Sequence, residues 1–134
     1  MASIIDIEGI GAVYTQKLQA ADIQTTEDLL ERGKTPAGRQ NLAEQTGISE
    51  TLILEWVNLS DLLRIKGVGE EYSDLLEEAG VDTVPELAQR NSANLYAKLV
   101  EVNAAKDLVR RLPSEDQVAD WVNQAKALPR MITY

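Results

Sequence analysis

The chain predicts an all-α fold built from two tandem repeat units packed with pseudo-two-fold symmetry, and three observations carry that prediction. Residues 7–33, IEGIGAVYTQKLQAADIQTTEDLLERG, return 58 positions later as residues 65–91, IKGVGEEYSDLLEEAGVDTVPELAQRN. Apolar residues recur at a period near 3.6, with no period-two alternation. Capping residues fall between the amphipathic runs. Self-similarity at a fixed period marks one supersecondary unit used twice, each copy with an apolar face too small to be buried alone. The 134 residues, 44% of them apolar, suffice for one compact domain. Its repeat units span about residues 4–63 and 64–128.

Taken in order, the periodicity predicts helices near 11–21, 26–32, 36–46, 49–63, 69–79, 84–90, 93–101, 103–112 and 114–127. Thr35-Pro36 reads as N-cap and first helical residue, and Pro85 falls early in its helix, where a missing N–H costs nothing. Thr83-x-x-Glu86 and Ser114-x-x-Gln117 have capping-box spacing. Gly33, Gly47 and Gly80 each follow an amphipathic run as C-terminal stops. Within the repeat, Ile10, Leu18, Ile23, Leu29 and Leu30 are expected to face Val68, Leu76, Val81 and Leu87 across a shared core. The tetrapeptides Glu55-Trp56-Val57-Asn58 and Asp120-Trp121-Val122-Asn123 extend the duplication at a spacing of 65. Seven extra residues must therefore lie between 91 and 120. Both Trp residues, and Tyr14 and Tyr72 at matching positions, are expected in or at the edge of the core.

Two glycines two apart ahead of a helix have a backbone reason: glycine accepts positive φ, and a tight turn between helices needs it. Bare backbone also exposes helix-start amides, a potential anion site. The pattern Ile7-x-Gly9-Ile10-Gly11, repeated as Ile65-x-Gly67-Val68-Gly69 and followed each time by an amphipathic helix, resembles the helix-hairpin-helix motif in tandem. The whole chain resembles a family of small, largely uncharacterised bacterial proteins made of such repeats. The resemblance implies sequence-independent contact with a DNA backbone through the amides of Gly9, Ile10 and Gly11 and of Gly67, Val68 and Gly69, aided by a nearby cation.

Charge works against that contact. Where DNA-binding relatives place a cation after the second glycine, this chain has Ala12-Val13 and Glu70-Glu71. Residues 1–58 hold four Lys/Arg against nine Asp/Glu, residues 59–89 two against eight, and residues 90–134 seven against five, giving the net charge of −9. An anion at a helix N-terminus gains at most about 2 kcal/mol. Two hairpins unaided thus reach about 4 kcal/mol, or roughly millimolar affinity. The cations available to a backbone are Arg64 and Lys66 ahead of the second hairpin, with Lys106, Arg110 and Arg111 in the net-positive block; Lys98 also lies in that block, and Lys106 and Arg110 are expected to share a helical face. Residues 39–57 also resemble a helix-turn-helix through Ala43, Gly47, Ser49, Ile53 and Trp56. The second helix is expected to expose Glu50, Thr51 and Glu55; its N-terminal turn offers no Arg, Lys, Gln or Asn to read base edges, and its carboxylates meet phosphates on entry. An ordinary αα-hairpin is the better reading of that segment.

The absence of Cys and His removes thiolate nucleophiles, the commonest metal ligand and the usual general base. No P-loop, nucleophile elbow or calcium-loop ladder is present. The chain reads as no enzyme, with no cofactor and no metal. No apolar stretch is long enough to span a bilayer and no secretory signal opens the sequence, so cytoplasmic residence is expected. Two functional classes stay open: a protein-interaction adaptor, within an assembly that handles DNA, or a direct, weak binder of the DNA backbone. Local charge at the hairpins favours the adaptor.

Overall fold

In the computed structural model, Ser3, Ile4, Ile7 and residues 10–134 are described. The fold over these residues is all-helical, with eight α-helices: α1 Gly11–Ala20, α2 Thr26–Gly33, α3 Pro36–Thr46, α4 Glu50–Leu62, α5 Glu70–Glu78, α6 Val84–Ala88, α7 Ser92–Lys106 and α8 Glu115–Ala127. One isolated antiparallel bridge pairs Ser3 with Thr25. Contacts divide the chain into two compact units. The first runs to Asp61 and regains Met131–Tyr134, while the second is Leu62–Arg130.

In unit one, α2 and α1 both pack on α3. Thr25 caps α2 with a complete capping box: its side chain accepts from the Asp28 N–H, and the Asp28 carboxylate accepts from the Thr25 N–H. Thr35 caps α3 with Pro36 in the first turn, as its sequence predicts. Gly47 ends α3 in the left-handed region at φ 72, and Ser49 then accepts from the Leu52 N–H at the start of α4. Gly33 has a different role from the C-terminal stop expected of it. It closes α2 without positive φ, and a Cβ there would run into Val57 Cγ2, so it makes room for α4. Ile10, Leu18, Ile23, Leu29 and Leu30 are all buried.

In unit two, α5 packs on α7, and α8 on both α6 and α7. Val68, Leu76, Val81 and Leu87 join Leu95, Leu99, Trp121 and their neighbours in a single apolar cluster. Ser114 and Gln117 form the expected capping box of α8. Thr83 precedes α6 but caps no backbone N–H; its hydroxyl meets the Glu86 carboxylate at 3.3 Å instead. The largest correction concerns residues 93–112, where one helix replaces two. Val102, expected as a break, is buried in the middle of α7. The helix stops at Asp107, left-handed at φ 50 and ψ 51. Asn103 then clamps the departing chain, accepting from the Val109 N–H at 2.9 Å and donating to the Val109 carbonyl. Pro113 disfavours helix at Leu112 and so bars a restart before α8.

The turn hydrogen bonds recur from unit to unit. Ile10 N–H donates to the Ile7 carbonyl and Val68 N–H to that of Ile65; Ala21 to Leu18 and Ala79 to Leu76; Ile23 to Leu18 and Val81 to Leu76; Leu29 to Thr25 and Leu87 to Thr83. At the left-handed position after α1 stands Asp22, φ 66, and after α5 stands Gly80, φ 93.

Candidate functional site

The site the sequence singles out is the pair of Gly-x-Gly turns. In unit two, Ile65 and Val68 are buried and fix the turn to the core. The backbone reverses between them at Gly67, φ 96, a conformation that side chains with a Cβ avoid. A Cβ there would also stand 3.1 Å from Trp121 Nε1. Gly69 is different: at φ −97 and ψ −169 it is the extended N-cap of α5, and a Cβ on it meets nothing within 4 Å. Gly11 combines φ 72 with open space. Room for a Cβ is therefore short at Gly67 and open at Gly69 and Gly11. Gly9 lies outside the described residues.

Several amides that a bound phosphate would need already donate within the chain. Ile10 N–H and Val68 N–H bond to the carbonyls three residues back, at 3.3 and 3.1 Å. Both side chains are buried, at 2% and 5% exposure. Lys66 N–H donates to Gln124 Oε1 at 2.8 Å, and Gln124 Nε2 returns a bond to the Lys66 carbonyl at 3.0 Å. The α8 side chain thus reads both backbone groups of the residue before Gly67.

The predicted cations are divided among different tasks. Arg64 donates to the Pro129 carbonyl at 3.0 Å, and Lys106 pairs with Glu78 at 2.7 Å. Arg110 and Arg111 lie beyond the end of α7, exposed, so Lys106 and Arg110 do not share a helical face. The Tyr72 hydroxyl donates to the Arg111 carbonyl at 3.0 Å, tying this segment to α5. The Lys66 side chain is exposed beside the turn, followed by Glu70 and Glu71 in the first turn of α5. At the start of α1 the equivalent surface is uncharged, with Val13 66% exposed.

Trp56 and Trp121 are buried, at 2% and 1% exposure, each packed on a half-buried tyrosine. Tyr14 and Trp56 ring centroids are 5.3 Å apart at 58°, and Tyr72 and Trp121 5.3 Å apart at 51°, in the tilted range that aromatic pairs favour. Buried in this way they offer no stacking face to a base. The α3–α4 pair forms its turn as expected, and α4 leads with exposed Glu50, Thr51 and Glu55.

Sequence reasoning missed three polar devices. One is Gln124. A second is the Thr25–Asp28 box, where Asp takes the place that Glu or Gln usually fills. Backbone N–H donors of Gln24, then of Thr25, hold the Asp28 carboxyl below its ordinary value. The third is Arg39, buried at 6% exposure, which donates to the Gly33 carbonyl and to the Thr133 carbonyl, 2.8 Å each.

Among the described residues no group of three acidic, His or Cys side chains is placed to hold a metal ion, and no helix is long and apolar enough to cross a membrane. Neither a curated protein nor a solved structure matches the chain. A family profile described as a domain of unknown function, DUF4332, matches residues 8–128. That span covers most of the 134 residues, and the chain belongs to this family.

Proposed function

We propose that the chain is a non-catalytic module of two tandem helix-hairpin-helix units that docks another protein, within an assembly that handles DNA. The observation that carries this reading is the chemistry presented at the turns. Hairpin two presents carboxylates from Glu70 and Glu71 where a phosphate would approach. Hairpin one is followed by exposed Val13, an apolar contact with no attraction for a polyanion. The amides of Ile10, Lys66 and Val68 already have acceptors. Electrostatic steering and counterion release both need clustered cations, and Arg64 and Lys106 already serve their own chain.

The direct test is a titration with duplex DNA at about 0.15 M salt, where the Debye length is roughly 8 Å. Distant acidic patches are then screened, but Glu70 and Glu71 beside the hairpin are not. Affinity is expected no tighter than about 100 micromolar, the weak end of non-specific binding. Binding at low salt should fall when Lys66, Arg110 and Arg111 become Glu, and rise when Glu70 and Glu71 become Lys. Submicromolar affinity for duplex, junction or single strand would instead support DNA-backbone binding through Gly67–Gly69, Lys66 and the exposed arginines. Capture of partners from native cells with and without nuclease provides the complementary test, and the adaptor reading expects a protein retained after nuclease.

A further inference from the structure

Residues 131–134 follow unit two in sequence yet belong with unit one. Their attachment uses the main chain of Thr133. Thr133 N–H donates to the Lys34 carbonyl at 2.8 Å, and the Thr133 carbonyl accepts from Arg39 Nη2 at 2.8 Å. Both backbone groups of one residue are therefore read by unit one. On either side, Ile132 is buried at 3% exposure, and the Tyr134 hydroxyl donates to Asn58 Oδ1 on α4 at 3.1 Å. The Arg39 guanidinium lies 5.7 Å from the Tyr134 ring centroid, within cation–π range. The tail does not fill its seat. A cavity of about 350 Å³ remains beside the ring, lined by Pro36, Arg39, Glu50, Thr51, Leu54 and Tyr134.

We propose that unit one carries a peptide-binding groove on its α3–α4 face, and that the chain occupies this groove with its own Ile132-Thr133-Tyr134. The ligand class is a short non-helical peptide with an aliphatic residue, then one residue bonded through both its N–H and its carbonyl, then an aromatic residue. Main-chain bonds supply affinity in such a mode, and the pockets for flanking side chains supply selectivity. Arg39 is the fixed element. Its bond to the Gly33 carbonyl is internal to unit one and holds the guanidinium in place, leaving the second nitrogen directed at whichever carbonyl lies in the groove. The groove is thus autoinhibited, and a competing peptide must displace the tail.

The test uses the full chain with Ile132→Asp and Tyr134→Ser, which detach the tail, and a synthetic pentapeptide of sequence Arg-Met-Ile-Thr-Tyr. The peptide is expected to perturb the amide resonances of Lys34, Arg39 and Asn58 in the variant. At about 1 mM it should also raise the variant's melting temperature by a few degrees through binding linkage. The unaltered chain should respond at least tenfold more weakly. A folded variant indifferent to the peptide, or an unaltered chain that binds equally well, would overturn the proposal. Should the variant fail to fold, hydrogen exchange at the Thr133 amide of the unaltered chain decides. Protection of at least tenfold over the free pentapeptide is expected, and exchange at the peptide's rate excludes an occupied groove. A concentration-dependent dimer in which Thr133 stays protected would overturn the intramolecular form and assign the groove to the tail of a second copy.

Discussion

The two Gly-x-Gly turns begin from nearly the same residues and are secured by different means. In unit two, Gln124 on α8 ties both backbone groups of Lys66, and Gly67 turns against Trp121. In unit one, the residue aligned with Gln124 in the register of the Trp tetrapeptides is Leu59, which contributes burial and no amide. The caps are reversed. Thr25 completes a capping box, whereas Thr83 leaves the backbone uncapped. The hydrogen bond across each turn thus recurs, from Ile10 to Ile7 and from Val68 to Ile65, while the backbone at the second glycine and the polar groups around the turn differ. Apolar contacts are non-directional and tolerate such exchange, whereas each hydrogen bond needs one particular partner.

The sharpest way to break the comparison is at the glycines. Gly67→Val must adopt positive φ and crowd Trp121, and is expected to lose about 2–4 kcal/mol in denaturant unfolding. Gly11→Ala meets only the backbone penalty, about 1–2 kcal/mol. Gly69→Ser should change stability by less than about 0.5 kcal/mol, because the N-cap already has extended backbone and serine caps well. Equal losses at all three positions would show that the turns are constrained alike.

Gln124→Leu imports the residue of unit one into unit two. A loss of about 1 kcal/mol is expected, since the Lys66 backbone is exposed enough for water to replace the amide. No loss would mean that the clamp is incidental.

Thr25→Ala should cost about 1 kcal/mol and Thr83→Ala about half as much or less, because only Thr25 satisfies a helix N–H. Matching losses would place the effect in side-chain packing.

The smallest effect is in acid. The folded Asp28 carboxyl lies below its ordinary value of 3.8, so its contribution is present above that value and fades as pH falls through the lower, folded value. Asp28→Asn should flatten the acid limb of the unfolding curve below about pH 4 and leave the curve's shape above it unchanged. An unaltered acid limb would remove Asp28 from the account.

What was legible in the sequence follows from these same physical differences. The offset of 58 located both turns and the buried Ile10, Leu18, Val68 and Leu76, because apolar periodicity is written locally and twice. Trp56 and Trp121 were readable as core from their recurrence. The break placed at residue 102 failed because two amphipathic runs can share one helix, and the true stop depends on Asn103 reaching Val109 around a left-handed Asp107. Gln124 was invisible because its partner is 58 residues away, and Thr133 because its partner Arg39 is 94 away. A single polar side chain leaves no periodic trace.

The return of Met131–Tyr134 to unit one also has a consequence for the order in which the protein is made. Synthesis proceeds at roughly 5–20 residues per second, so the 73 residues that follow Asp61 take about 4–15 s to add. Throughout that interval α1 to α4 can collapse, but the Lys34 carbonyl and the second nitrogen of Arg39 lack the Thr133 partner they have in the finished fold. Unit two, contiguous from Leu62 to Arg130, has every segment it needs before the first unit receives its last. The portion that leaves the ribosome first is the portion that finishes last.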